Sequence, residues 1–289
     1  MDRGIDQVAY WNGEVGERWA RNRRALDGLF APLTEALLAH AAPRPGSRLL
    51  DIGCGAGEIA MLAANRLGGR GRVVAADVSA PLLAAARSRV EGEAAGGAPI
   101  AWIEADAETH DFGDAVFECD LSRFGVMFFS DSVAAFANIR RALVPGSRLV
   151  FLCWRAIDEN PWVHVPREAV LPLIPDPAPP PGDAPGPFRF ADRARLEGIL
   201  AAAGFRDVAC TALDRPLVLG QSSQGSAQEA AEAAAEVALE LGPVSRLLRE
   251  ADPALREAAR AAVMRALLPH AEAGAIMLGA ACWLVSATR

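Results

Sequence analysis

From Arg48 to Glu58 the chain reads Arg-Leu-Leu-Asp-Ile-Gly-Cys-Gly-Ala-Gly-Glu, and most of the chemistry the sequence offers hangs from that stretch. Leu49, Leu50 and Ile52 read as the end of a buried parallel strand, and 58–67 reads as a helix. The glycines between them allow a sharp turn and a close backbone approach to a ligand, the strand–turn–helix arrangement that wraps a nucleotide-like molecule. The dinucleotide fingerprint needs its third glycine one position later, where this chain has Glu58. Asp51, at the mouth of the strand, would repel a pyrophosphate and welcome an ammonium group. The pattern therefore suits a nucleoside with an amino-acid tail better than NAD. Twenty residues beyond Gly57, Asp77 ends the apolar run 73–76, where an acid can take both ribose hydroxyls. A third strand over 99–104 is followed by Asp106-Ala107.

LLDIGCGAG, from Leu49 to Gly57, resembles the first motif of the class I S-adenosylmethionine-dependent methyltransferases. In that family the acid at the position of Asp106 accepts from the adenine amino group. Phe117 to Gly125 resembles the fourth motif, usually Phe-Asp followed by apolar residues; here Glu118 replaces the aspartate and Asp120 stands where an apolar residue is expected. A charge inside a central strand is costly unless paired, so Asp120 either pairs with an arginine or marks the end of the strand. SRFGVMFF (122–129), the Pro145-Gly146 turn and Trp154 with Asn160-Pro161-Trp162 are similar to a bacterial subgroup related loosely to ubiquinone/menaquinone-biosynthesis C-methyltransferases.

The resemblance implies a doubly wound, mostly parallel α/β sheet of seven strands, Rossmann-like, with the last strand antiparallel beside the fifth. It implies S-adenosylmethionine as methyl donor, S-adenosylhomocysteine as product, and a small organic acceptor. Contacts to the cofactor are expected at Asp51, Gly53, Gly55, Asp77 and Val78. Further contacts are expected at Asp106, Ala107 and Ser122, and at Tyr10 and Trp19 from helices that fold over the cofactor. Methyl transfer from a sulfonium requires mainly alignment and exclusion of water, and a base only where the nucleophile carries a proton. His164 is the candidate base or substrate contact, and Tyr10 a candidate contact to cofactor or acceptor. Arg123 could hold an anionic group of the acceptor, or pair with Asp120 or an acid of the lid. The Arg21, Arg23, Arg24 cluster reads as a solvated helix face.

The elements that must position these residues alternate between strand and helix from 47 to 154, the signature of a parallel doubly wound sheet. Expected strands are 118–125, 148–154, 206–213 and 275–288, with a helix over 131–143. Residues 1–46 form an N-terminal helical lid and 47–289 the methyltransferase domain, with caps over 155–190 and 226–270. The proline-rich run 172–187 is too stiff for regular structure. Residues 226–268 are alanine-rich and helical, broken at Gly242-Pro243. The acceptor pocket is expected between 10–19, 154–164 and the helices of 226–268.

Composition narrows the field. The 289 residues are 52% hydrophobic with a net charge of −7, which disfavours a broad nucleic-acid surface. All 29 basic residues are arginine, so Schiff-base, pyridoxal-phosphate and P-loop chemistry lack their lysine. Cys54, Cys119, Cys153, Cys210 and Cys282 are scattered without CxxC spacing, the pattern of a reduced, cytoplasmic protein. No His, Asp or Glu cluster has metal-ligand spacing, so no metal is expected. No stretch reaches 18 apolar residues and the N-terminus has no signal core, so no membrane anchor is expected; a homodimer is compatible with all of this. The rival readings are a cofactor-binding sensor or scaffold without transferase activity, a nicotinamide-dependent reductase, and a nucleic-acid methyltransferase.

Overall fold

A computed structural model describes residues 6–92, 97–175 and 184–289. The chain divides into two compact units, the first comprising residues up to Trp154, Pro181–Leu213 and Cys282–Arg289, the second Arg155–Pro180 and Asp214–Ala281. In the first, three helices, α1 (Gln7–Asn12), α2 (Glu14–Arg21) and α3 (Arg23–Ala41), precede β1 (Arg48–Ile52). Then come α4 (Glu58–Leu67), β2 (Arg72–Asp77), α5 (Ala80–Gly92), β3 (Ile100–Glu104), β4 (Phe117–Arg123), α6 (Ser132–Ala142) and β5 (Leu143–Trp154). After α7 (Pro161–Val170) and α8 (Arg193–Ala202) runs the long β6 (Arg206–Gln221). The remainder is α9 (Ala227–Glu240), α10 (Gly242–Leu247), α11 (Pro253–Leu267), β7 (Ala271–Glu272) and β8 (Ala275–Thr288).

The strand order is β3-β2-β1-β4-β5-β8-β6, with β1 to β5 parallel and β8 antiparallel to β5. The two-residue β7 pairs with β8 and brings the count to eight, one more than the sequence suggests. The order reverses between β1 and β4, and in open α/β sheets the crevice beyond such a reversal is where ligands bind. Leu49, Leu50, Leu121, Leu149 and Phe151 have no exposed surface; burial on both faces is why 149–154 of β5 reads as a continuous apolar run, whereas β4 carries polar residues between its apolar ones.

Several boundaries differ from those expected. β5 begins at Leu143, because Leu143 pairs with Phe117 before the register shifts and Arg148 pairs with Cys119; Pro145-Gly146 bulges within the strand. β4 stops at Arg123, since Phe124 has φ +66° and cannot continue a strand. β6 runs on past Leu213 through Pro216, which a sheet-edge strand tolerates because no ladder donor is needed there. The break between α9 and α10 falls at Leu241, and Pro243 stands in the first turn of α10. Of the proline-rich run 172–187, residues 176–183 lie outside the described residues.

The second unit explains two sequence features. Asn160 is fully buried; its Nδ2 donates to Arg155, Ala156 and Ala281 carbonyls, and its Oδ1 accepts from Ala281 N–H at 2.8 Å and Trp162 Nε1–H at 3.3 Å. The Asn-Pro-Trp run is therefore a structural staple. The alanines of α9 permit close packing: a Cβ added to Gly220 would lie 2.2 Å from Ala230 O.

Asp120 resolves the choice left by the sequence in neither direction. It lies inside β4, flanked in register by Leu50 and Leu149, with no exposure and no hydrogen-bond partner for either oxygen. Burial, reinforced by the charge of Asp51, pushes its carboxyl well above the usual range. A carboxyl raised in this way favours the fold fully only below its unfolded pKa, and that contribution is lost as pH rises toward the folded value. Asp120→Val should therefore stabilise the protein at neutral pH, by on the order of 1–3 kcal/mol, the cost of keeping a buried polar group without a hydrogen-bond partner. The gain in urea midpoint should grow from pH 5 to pH 8. An equal gain at both pH values would show that ionisation of Asp120 is not involved.

Candidate functional site

The switch-point crevice is a cavity of about 670 Å³, and every described residue lining it belongs to the first unit. Its floor is the turn after β1. Gly53 and Gly55 have φ of +65° and +53°, and a Cβ added to Gly55 would meet nothing within 4 Å, so its open side faces space a ligand can fill. Gly57 serves packing instead: a Cβ there would lie 2.5 Å from the Trp102 ring. Gly53 is pinned from the other side, where a Cβ would lie 2.6 Å from Gly125 Cα.

Asp77 closes β2 and organises the turn. Its Oδ2 accepts from Gly55 N–H at 2.7 Å and its Oδ1 from Ser79 N–H at 2.9 Å. Burial raises its pKa, and these backbone donors act against that rise. The turn after β2 also fastens the N-terminal helices. Asn12 Nδ2 donates to Val78 O at 2.8 Å, Ala80 N–H donates to Asn12 Oδ1 at 2.9 Å, and Ser79 Oγ donates to Trp11 O at 2.7 Å. Trp11 then stands edge-to-face against Trp19, at 5.6 Å, and Phe128, at 5.0 Å, as an aromatic wall. Asp106 lines the cavity beyond β3 and its Oδ1 accepts from Glu108 N–H at 2.9 Å.

The opposite end is built around Arg123. It pairs with Glu58, the first residue of α4, rather than with Asp120 or an acid of the N-terminal helices, and donates to Thr34 Oγ1. Thr34 in turn donates to Glu58 at 3.4 Å, and the guanidinium lies 5.6 Å from the Phe30 ring centroid, a cation–π distance. Burial raises the Glu58 pKa against the pull of Arg123. Behind them Asp27 bridges to Arg89 at 2.7 Å, and Arg89 also donates to Ala56 O in the glycine turn. Phe124, next to Arg123, is held in the left-handed region while stacked on Trp154 at 4.0 Å. Such strain in a bulky residue collects at ligand sites.

The structure brings Gly53, Gly55, Asp77, Val78, Asp106, Ala107, Trp19 and Arg123 to one cavity wall. Asp51 lies beneath the turn, 1% exposed, with no hydrogen-bond partner for either oxygen; burial pushes its carboxyl up to about 7, against the pull of Arg123. Ser122 is buried, its hydroxyl without a partner, and is not on the wall. Tyr10 is also off the wall and packs edge-on against Trp11, which occupies the wall in its place. His164 stands in α7 of the second unit. Arg23 corrects the solvated-face reading, for it lines the cavity while Arg21 and Arg24 are exposed. The signal was present in the helical spacing of Arg23, Leu26, Asp27 and Phe30, which places these four on one face of α3. Glu58, which the sequence offered only as a departure from the dinucleotide pattern, is the partner of Arg123.

The residues fit a nucleoside with an amino-acid tail: Gly55 leaves a cradle that a Cβ would fill, and Asp51 is a buried orphan acid that a cation would satisfy. Residues 49–146 match the family described as a methyltransferase domain. The demethylmenaquinone methyltransferase of Thermus thermophilus is 36% identical over 135 residues, which cover 47% of this chain and 53% of that protein. The ubiquinone/menaquinone biosynthesis C-methyltransferase UbiE of Serratia proteamaculans is 29% identical, covering 57% and 68%. The chain spans about half the length of the first of these. Among solved structures, Haemonchus contortus phosphoethanolamine N-methyltransferase 2 in complex with S-adenosyl-L-methionine covers 99% of this chain and 60% of its own, with a TM-score of 0.58 at 16% identity. YcgJ of Bacillus subtilis covers 89% and 97%, with a TM-score of 0.53 at 17% identity. These likenesses show the Rossmann-like methyltransferase fold.

Removing the guanidinium of Arg123 should strand a buried carboxylate. Arg123→Met is expected to cost on the order of 3 kcal/mol at pH 7.5. Without its partner Glu58 protonates at higher pH, so the loss should shrink by pH 4.5 in denaturant unfolding at the two pH values. A loss independent of pH would mean that Arg123 acts by packing on Phe30 alone.

Proposed function

We propose, from the match of residues 49–146 to a methyltransferase domain and the fold shared with solved methyltransferases, that this protein transfers a methyl group from S-adenosylmethionine to a small organic acceptor. When bound, S-adenosylmethionine supplies an electrophilic methyl group on a sulfonium. The observation that carries the reading is the convergence of three strand ends on one cavity: the Gly53–Gly55 turn after β1, Asp77 after β2 and Asp106 after β3. In this reading Asp77 takes the ribose and Asp106 the adenine end of the nucleoside, with Val78 and Ala107 as apolar neighbours; all four line the cavity. Asp51 offers negative charge beneath the turn for the ammonium of the tail. Trp11 and Trp19 keep water from the open side, which alignment-driven transfer requires.

The names of the curated relatives support a small organic acceptor. The net charge of −7 supports a small molecule over nucleic acid, and we place the activity in the cytoplasm. All five cysteines are free and buried, and no helix among the described residues is long and apolar enough to cross a membrane.

Calorimetry should give micromolar binding of S-adenosylmethionine and S-adenosylhomocysteine and none of NADH; the reverse would overturn the proposal. Asp77→Ala should weaken S-adenosylhomocysteine binding by about 2–4 kcal/mol, because charge-assisted bonds to the ligand and the brace on Gly55 are lost together. The circular dichroism spectrum should stay that of the wild type. An unchanged dissociation constant would leave Asp77 only its role within the turn.

A further inference from the structure

The charges on the α3 side of the cavity do not cancel. Arg123 is saturated by Glu58, Thr34 and the Phe30 ring, and Asp27 by Arg89. Arg23 remains. Its NH1 donates to Ala20 O at 3.2 Å, and among the described residues it has no carboxylate partner. It is half-buried, lines the cavity, and is followed on its helix face by Leu26 and Phe30, while Trp19 of α2 lines the same cavity. It also begins the 19-residue α3, whose start carries no capping side chain, so the positive end of that helix dipole adds to the guanidinium. An uncompensated arginine beside apolar walls is a binding site for a planar anion, because the low local dielectric strengthens a charge-assisted bond and the guanidinium fork matches a carboxylate.

We propose that Arg23 is the anion-binding residue of this cavity and holds a carboxylate. This rests on the cavity being a methyl-transfer site. Two ligands there could supply the carboxylate: the amino-acid tail of the methyl donor, or an acidic group on the acceptor. Arg123, which the sequence suggests for an anion, is occupied by Glu58, and the role passes to Arg23 one helix face away.

The two sources separate by experiment. In the first arm, calorimetry compares S-adenosylhomocysteine with 5′-methylthioadenosine, which keeps the nucleoside and lacks the carboxylate. In the second, quenching of tryptophan fluorescence compares 2-naphthoate with neutral 2-naphthamide on protein saturated with S-adenosylhomocysteine. Arg23→Gln should weaken one carboxylate probe by roughly 10- to 100-fold and leave its neutral counterpart unchanged, with Arg23→Lys restoring part of the loss. An effect in the first arm assigns the carboxylate to the donor, and in the second to the acceptor. If both carboxylates bind Arg23→Gln as they bind the wild type, or if charged and neutral probes weaken alike, the proposal is wrong. Binding of 5′-methylthioadenosine to the wild-type protein reports on the nucleoside pocket itself. If it persists when the Arg23 effect fails, only this inference falls.

Discussion

The approach of two backbones at Gly53 and Gly125 is the constraint on which the site depends. The turn leaving β1 and the segment leaving β4 pass so closely that a Cβ on either glycine would sit 2.6–2.7 Å from the other's Cα. Neither position admits a side chain without pushing two neighbouring parallel strands apart at their C-terminal ends. That contact fixes where the open face of Gly55 points and where Arg123 and Phe124 emerge. Phe124 takes up part of the cost in a left-handed conformation, which its stacking on Trp154 and its N–H bond to Leu152 O hold in place. The switch point is thus made by contact as well as by topology.

Carboxylates surround this crossing, and their differences follow from which donors each can reach. Asp77 has backbone N–H groups on both oxygens and braces the turn. Glu58 has Arg123 and Thr34. Asp51 and Asp120 lack hydrogen-bond partners, and their carboxyls are pushed upward by burial. Asp51 at about 7 is poised where a cation nearby would return it to the charged form. Asp120, between two leucines, has no such use within the site and stands as a cost the sheet carries.

The first motif was legible because its physics is local: a strand end, a turn with no room for side chains, and an acid one strand further on. Most of the parallel strands were legible for the same reason, as short apolar runs; β4, with Glu118, Asp120 and Arg123, was legible through its likeness to the fourth motif. What escaped depends on tertiary contact. Nothing local tells Gly57, packed under Trp102, from Gly55, open to the cavity. Tyr10 drew attention as the lone tyrosine, yet the neighbouring Trp11 takes the wall position because its carbonyl and the Asn12 amide are claimed by the β2–α5 turn. Arg23 was masked by Arg21 and Arg24, although the spacing of Leu26 and Phe30 already marked its face. Residues 143–147 looked like a turn because Pro-Gly usually makes one; the pairing of Leu143 with Phe117 overrides that preference.

The two N-terminal contributions to the cavity wall are held by different forces. α3 has eight buried residues, from Leu26 to Ala41, and its displacement would expose the core behind it. α1 is six residues long with none buried, too short to be stable alone, and is held through bonds from Asn12 and Trp11 to residues 78–80. Local opening begins where buried apolar contact is least. The aromatic wall carried by Trp11 is therefore fastened less by burial than by a few hydrogen bonds and its edge-to-face contacts with Trp19 and Phe128. Arg23, Leu26 and Phe30 stand on α3 instead, so the charged and aromatic part of the wall is set by the core behind that helix.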